Sequence, residues 1–73
     1  MAHLYDMRKL KGRIIEKCGT LGVFARVMGW SSATNGLKIS GARLWDQAEI
    51  ERACKALDIP FDDIEPYFFT RQV

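Results

Sequence analysis

Few side chains in this 73-residue chain have the types and spacing that catalysis needs. His3 is its single histidine, and no nucleophile and orienting group can be assembled around it from the sequence. Asp62 and Asp63 are adjacent carboxylates, but their position near the start of a predicted helix is explained by the helix dipole. We therefore expect the chain not to be an enzyme and to use no cofactor.

The two cysteines do not form a metal-binding or redox pattern. Cys18 and Cys54 fall among apolar helical positions, with neither a CxxC spacing nor a nearby histidine pair, so both are expected to be reduced core residues. No stretch approaches the roughly 20 apolar residues that cross a membrane. The first residues contain no apolar signal run, so a cytoplasmic location is the expectation.

The charge distribution separates two halves of the chain. Residues 1–43 carry eight Lys and Arg against two Asp and Glu, a net +6, and residues 44–73 carry three against seven, a net −4, which together give the overall +2. A basic half is what binding to phosphates requires. A chance asymmetry in a small solvated domain explains it equally well.

The central segment predicts two short helices joined by a glycine turn. Thr20 can cap the first, over residues 21–28, whose apolar side chains recur at i, i+3, i+4 and i+7. Gly29 supplies the positive φ that ends it, and Ser31 can cap a second helix running toward Ile39. This is the plan of a helix-turn-helix, in which the second helix enters the DNA major groove.

The second helix of this pair departs from the usual pattern. Its inward positions, where branched apolar residues are normal, fall on Asn35 and Lys38. Asn35-Gly36 is also a strong turn dipeptide, so a short or distorted helix is favoured, with a small hairpin as the alternative. A rotated helix would bury Ala33 and Leu37 instead and turn Asn35 and Lys38 outward.

The flanking segments predict three more helices. Asp6 can cap a first helix over residues 7–18, in which Gly12 would allow close packing. Asp46 and Glu49 form a capping box ahead of a fourth helix, with Trp45 expected over the core. Pro60 suits the first position of a last helix, which Pro66 should limit or kink. The chain is therefore predicted to be one all-α domain, residues 1–73.

The sequence resembles the small Cro-like and CI-like regulators of temperate phages, of the lambda-repressor-like (xenobiotic-response-element) class. The resemblance covers about residues 8–70 and rests on LKGRIIEK, on GT…FA…GWS and above all on ALDIPFDDIEPYFFT. The most similar members are short Cro-like proteins from phages of Gram-positive bacteria. The resemblance implies a compact five-helix lambda-repressor-like fold and operator binding by a recognition helix at about residues 31–39, usually as a dimer.

The resemblance also implies which residues contact DNA. Ser32, Ala33, Gly36 and Leu37 would face the bases, and Thr20, Arg26, Ser31 and Arg43 would contact phosphates. Apart from the resemblance, a DNA-binding function would also use Lys38 as a phosphate contact, and a rotated helix would turn Lys38 and Asn35 outward. Asn35 could then pair with an adenine, or it could instead end the helix as a left-handed cap.

Two functions remain open from the sequence. The first is a sequence-specific DNA-binding transcription regulator of phage or prophage origin. The alternative is a helix-turn-helix scaffold that binds a protein partner, as an antirepressor or inhibitor, with little affinity for DNA. The aromatic tail of Tyr67, Phe68 and Phe69 either forms a homodimer interface or covers the chain's own core.

Overall fold

The computed structural model describes residues 5–72, which form five α-helices and one 3-10 turn. The helices are α1 (Arg8–Cys18), α2 (Leu21–Met28), α3 (Ser32–Ser40), α4 (Gln47–Leu57) and α5 (Ile64–Phe68), with the 3-10 turn at Phe61–Asp63 before α5. The Asp6 amide donates to the Thr70 carbonyl at 2.7 Å, which brings the two ends of the described chain together. The fold is all-α, as the sequence predicts.

Local capping sets where the central helices begin, as expected. The Thr20 hydroxyl accepts the Val23 amide of α2 at 3.1 Å. The predicted capping box of α4 is present, since the Glu49 amide donates to Asp46 Oδ1 at 2.8 Å and the Asp46 amide donates to Glu49 Oε1 at 2.9 Å. Gly29 ends α2 in the left-handed region at φ 72°.

The start of α1 differs slightly from the prediction. The helix begins at Arg8 rather than Met7, and its N-cap residue Met7 provides no side-chain cap. Asp6 still acts in this role from one residue further back, because its Oδ1 accepts the Arg8 amide at 3.0 Å. The suggested packing role of Gly12 is wrong, since Gly12 is exposed and a Cβ placed there would meet no atom within 4 Å.

Helix α3 is short, with nine residues, as the sequence favours, but it is undistorted, and the hairpin alternative is wrong. It runs through Asn35 and Gly36 without a break, from the Ser31 cap to Gly41 at φ 88°. Gly36 keeps a helical backbone, so the Asn-Gly pair makes neither a turn nor a hairpin. Packing against α2 supplies the stability that the weak local propensity of this segment lacks.

The core combines aliphatic side chains of α1 and α4 with aromatic side chains of α2, α5 and the connecting segments. The largest fully buried side chains are Phe24, Leu10, Ile14 and Leu57. Trp45 lies against this core as predicted, and its ring centroid is 5.1 Å from those of both Trp30 and Phe68. These edge-on aromatic contacts join the α2–α3 turn to α5.

The last helix is shorter than a regular one. Pro60 precedes the 3-10 turn rather than starting an α-helix. Pro66 is the third residue of the five-residue α5, where no intrahelical partner is available for a backbone N–H. Pro66 therefore removes no hydrogen bond within α5, and the short length of this helix is not explained by the proline.

Candidate functional site

The residues expected to contact phosphates lie on the surface around α2 and α3. Thr20, Arg26, Ser31 and Arg43 are all exposed. The hydroxyls of Thr20 and Ser31 already accept backbone amides as helix caps, whereas Arg26 lies in the last turn of α2 and Arg43 in the loop after α3. The Arg43 amide donates to the Leu37 carbonyl at 3.1 Å, so this loop folds back onto α3.

The outward face of α3 carries small and apolar side chains. We call it the α3 face, and its exposed residues are Ser32, Ala33, Gly36, Leu37 and Ser40. The predicted rotation that would bury Ala33 and Leu37 is therefore wrong. The Ser40 hydroxyl donates to the Leu37 carbonyl at 3.1 Å, so it is engaged within its own helix.

Asn35 points into the protein and not toward DNA. Its side chain is only 6% exposed, and its Nδ2 donates to the Leu21 carbonyl at 3.1 Å. The Asn35 Oδ1 is buried without a hydrogen-bond partner among the described residues. The suggested adenine contact is thus wrong for this fold, and so is the alternative of a helix-ending cap, because α3 continues to Ser40.

Lys38 is buried as well and cannot contact a phosphate in this arrangement. Lys38 is only 7% exposed. Its Nζ donates to Glu49 Oε1 at 2.6 Å and to the Leu44 carbonyl at 2.8 Å. The Trp45 indole N–H donates to the Lys38 carbonyl at 3.0 Å. Lys38 therefore ties α3 to the loop and to the start of α4. The sequence showed Glu49 as a capping residue but not as the partner of this lysine.

The aromatic tail is divided between core and surface. Phe68 is 3% exposed and belongs to the core, so the prediction that it forms a dimer interface is wrong. Tyr67 is partly buried, and the Lys9 ammonium lies 4.7 Å from its ring centroid. Phe69 is 44% exposed and contacts the Tyr5 ring edge-on at 5.5 Å. Of the three, Phe69 presents the most surface to a partner.

An apolar surface that was not expected from the sequence lies between α4 and the C-terminal tail. We call it the apolar strip, and it consists of Leu44, Ile50, Phe61, Ile64 and Phe69. Leu44 and Phe61 are 65% and 63% exposed, the two most exposed large apolar residues in the described chain. Leu44 lies in a loop, where periodicity gives no signal, whereas Phe61 was expected to share a helical face with Ile64 and Phe68 and is instead exposed on the 3-10 turn. At the Leu44 end the strip contains a hollow of about 130 Å³.

Residues 5–72 contain Cys, Asp and Glu side chains, which are among the usual protein ligands of a metal ion. No cluster of three or more His, Cys, Asp or Glu side chains there is arranged to hold a metal ion, and His3 lies outside the described residues. Cys54 is buried and Cys18 partly buried, both with free thiols, and burial raises the pKa of the Cys54 thiol. None of the helices described is long and apolar enough to cross a bilayer.

Comparisons with known proteins identify a family and a similar solved structure. A family model described as "Protein of unknown function (DUF739)" matches residues 1–71, and the chain belongs to this family. The chain is similar to the modulator of repression (MOR) of the temperate bacteriophage TP901-1 from Lactococcus lactis. The solution structure of that protein matches at 42% identity and a TM-score of 0.80, over 94% of this chain and 93% of the other. No curated protein matches the chain.

Proposed function

We propose that this chain is a phage regulatory protein that modulates repression by binding a repressor protein through the α3 face. Its similarity to a phage modulator of repression supports the regulatory role. The inward orientation of Asn35 and Lys38 is the observation that carries the choice of a protein partner. These are the side chains of α3 that carry an amide or an ammonium, and both are used inside the fold.

Recognition of bases needs side chains that donate or accept hydrogen bonds in the major groove. The α3 face offers few of them, because Ala33 and Gly36 have no polar side-chain atom and Leu37 is apolar. Ser32 supplies a single hydroxyl. A surface of small residues around one exposed leucine instead permits close approach of another protein, with Leu37 as the apolar anchor.

The test is a titration of the purified repressor of the same phage with this chain, in which calorimetry measures the binding. Leu37→Asp should weaken binding by at least about tenfold, because it places a charge at the centre of the contact. Ile15→Asp is the matched control, since Ile15 on α1 is 46% exposed, comparable to Leu37 at 39%, and it lies outside α2 and α3. Equal affinities of the two variants, or no binding by the unmodified chain, would reject the proposal.

Operator binding is the second candidate, and the exposed basic side chains favour it. Arg26 in the last turn of α2 and Arg43 in the loop after α3 could contact phosphates, with the helix starts at Thr20 and Ser31 adding backbone N–H groups. These contacts position a protein on DNA, whereas sequence discrimination would rest largely on Ser32. The exposed residues therefore explain affinity for DNA better than they explain discrimination between DNA sequences.

A fluorescence titration against pooled genomic DNA fragments at low and moderate salt separates the two candidates. Tight binding to a few fragments that persists as salt rises would establish an operator-binding regulator and reject our preference. Binding that is absent, or weak on all fragments and lost with salt, would support the protein partner. If phosphate contacts form, Arg26→Ala should reduce the salt slope by about 1.

A further inference from the structure

The apolar strip has two unlike ends. At one end Leu44, Trp45, Phe68 and Phe69 line the hollow of about 130 Å³, with Arg43 beside it. At the other end Phe61 projects from the 3-10 turn with 63% of its surface exposed, and Glu51 lies on the same wall. One end thus carries a hollow and a positive charge, and the other carries a projecting ring and a negative charge.

The middle of the strip is shared by the two ends. Ile50 and Phe69 line both the hollow beside Arg43 and the groove beside Phe61. A two-fold rotation about an axis through this middle would exchange the two ends. In such an isologous contact every residue pair occurs twice, so a surface complementary to its own rotated image gains each favourable contact in duplicate.

We propose that two copies of this chain associate through the apolar strip. Phe61 of each copy occupies the hollow beside Leu44 of the other, and Glu51 of each copy faces Arg43 of the other. The hollow, at about 130 Å³, is close in size to a protein cavity of about 150 Å³ that accommodates a benzene molecule. The charge complementarity at the ends selects a second copy over an unrelated apolar partner.

The contact differs from the one expected from the aromatic tail. Phe68 lines the floor of the hollow and Tyr67 packs on the core, so of that tail it is Phe69 that adds surface to the interface. The strip is small, and interfaces below about 1,200 Å² of total buried surface belong to weak and transient complexes. We therefore expect dimers near 1 mM and monomers near about 1 µM.

The first experiment is sedimentation of the full chain over this concentration range. Phe61→Ser and Leu44→Ser should each raise the dimer dissociation constant by at least about tenfold, because they remove the ring and one wall of its hollow. Val27→Ser is the matched control, since Val27 is 56% exposed on α2, outside the strip. Both strip residues are largely exposed, so the circular dichroism spectra should stay unchanged.

Reversing the charges of Arg43 and Glu51 distinguishes self-association from binding of any other partner to the strip. Arg43→Glu alone and Glu51→Arg alone should each suppress the dimer, because like charges then meet at both ends. An equimolar mixture of these two variants should restore it, since each end again brings opposite charges together. The double variant Arg43→Glu/Glu51→Arg should also dimerise by itself.

Three results would overturn the proposal. The chain could remain a monomer up to 1 mM, the mixture of charge variants could fail to associate, or Val27→Ser could weaken the dimer as strongly as Phe61→Ser. A monomer that loses repressor binding on Phe61→Ser, while Leu37→Asp still binds, would assign the strip to a protein partner instead. The first three results would leave the function proposed for the α3 face intact, whereas the last one would also reject the α3 face as the repressor-binding surface.

Discussion

The ammonium nitrogen of Lys38 lies 2.6 Å from Glu49 Oε1, and the two side chains are only 9% and 14% exposed. The same oxygen of Glu49 also accepts the Asp46 amide at 2.9 Å, and Lys38 donates to the Leu44 carbonyl as well. A single ion pair therefore joins α3, the following loop and the start of α4. The lysine stands where related helices are expected to bury an apolar residue.

Removing the charge of Lys38 should destabilise the fold. Lys38→Met leaves Glu49 largely buried without its partner, and breaking such a pair typically lowers the free energy of unfolding by about 3 kcal/mol. The double variant Lys38→Met/Glu49→Gln should lose less, because the glutamine oxygen can still accept the Asp46 amide and no charge remains unpaired. Urea denaturation measures the free energy of unfolding of the single and the double variant. If Lys38→Met unfolds with a free energy within about 0.5 kcal/mol of that of the unmodified chain, the stabilising role of this pair is contradicted.

Replacing Gly36 should stabilise α3. The residue is exposed in a helical conformation, and a Cβ there would meet no atom within 4 Å. Gly36→Ala should therefore raise the free energy of unfolding by about 0.5–1 kcal/mol. Gly29→Ala is the contrast, because φ at Gly29 is +72° and a side chain there would destabilise by about 1 kcal/mol. The melting temperature should therefore rise in Gly36→Ala and fall in Gly29→Ala. A lower melting temperature of Gly36→Ala would indicate that α3 is not helical at this position.

The pKa of Asp6 should be low and should depend on Arg8. Hydrogen bonds from the Arg8 side chain and amide lower the pKa of this carboxyl from 3.8 to about 2. Because the folded-state value is the lower one, the ionised carboxylate stabilises the fold above pH 4 or so, and this contribution is lost as pH falls through about 2. NMR titration should show the pKa returning toward its ordinary value in Arg8→Ala. An unchanged pKa in that variant would refute the assignment.

Arg13 should stabilise the end of α4. Its Nε donates to the Leu57 carbonyl at 2.9 Å and its Nη2 to the Asp58 carbonyl at 2.8 Å. Arg13→Lys keeps the charge but loses the fork that reaches both carbonyls, so it should cost about 1–2 kcal/mol of unfolding free energy. Arg52→Lys, at an exposed position of α4, should change the unfolding free energy by less than about 0.5 kcal/mol. Equal losses in the two variants would mean that the Arg13 hydrogen bonds contribute nothing.

The sequence alone predicted the elements whose boundaries are set by local hydrogen bonds. Thr20, Ser31 and Asp46 each accept an amide three residues further on, so their helices begin where short-range chemistry places them. Gly29 likewise ends α2 for a local conformational reason. The all-α class and the order of the helices followed from these signals together with the spacing of apolar residues.

Only the tertiary structure decided which way α3 faces. The partners of Asn35 and Lys38 are the Leu21 carbonyl, 14 residues away, and Glu49, 11 residues away, and no local pattern indicates that these groups meet. These partners accept hydrogen bonds from the buried Asn35 side-chain amide nitrogen and the buried Lys38 ammonium. Helix α3 can therefore keep the orientation in which the positions of Asn35 and Lys38 face the core, although both residues are polar. Because this orientation points Asn35 and Lys38 inward, it removes from the surface the side chains best suited to contact bases. The same orientation leaves small residues around Leu37 exposed.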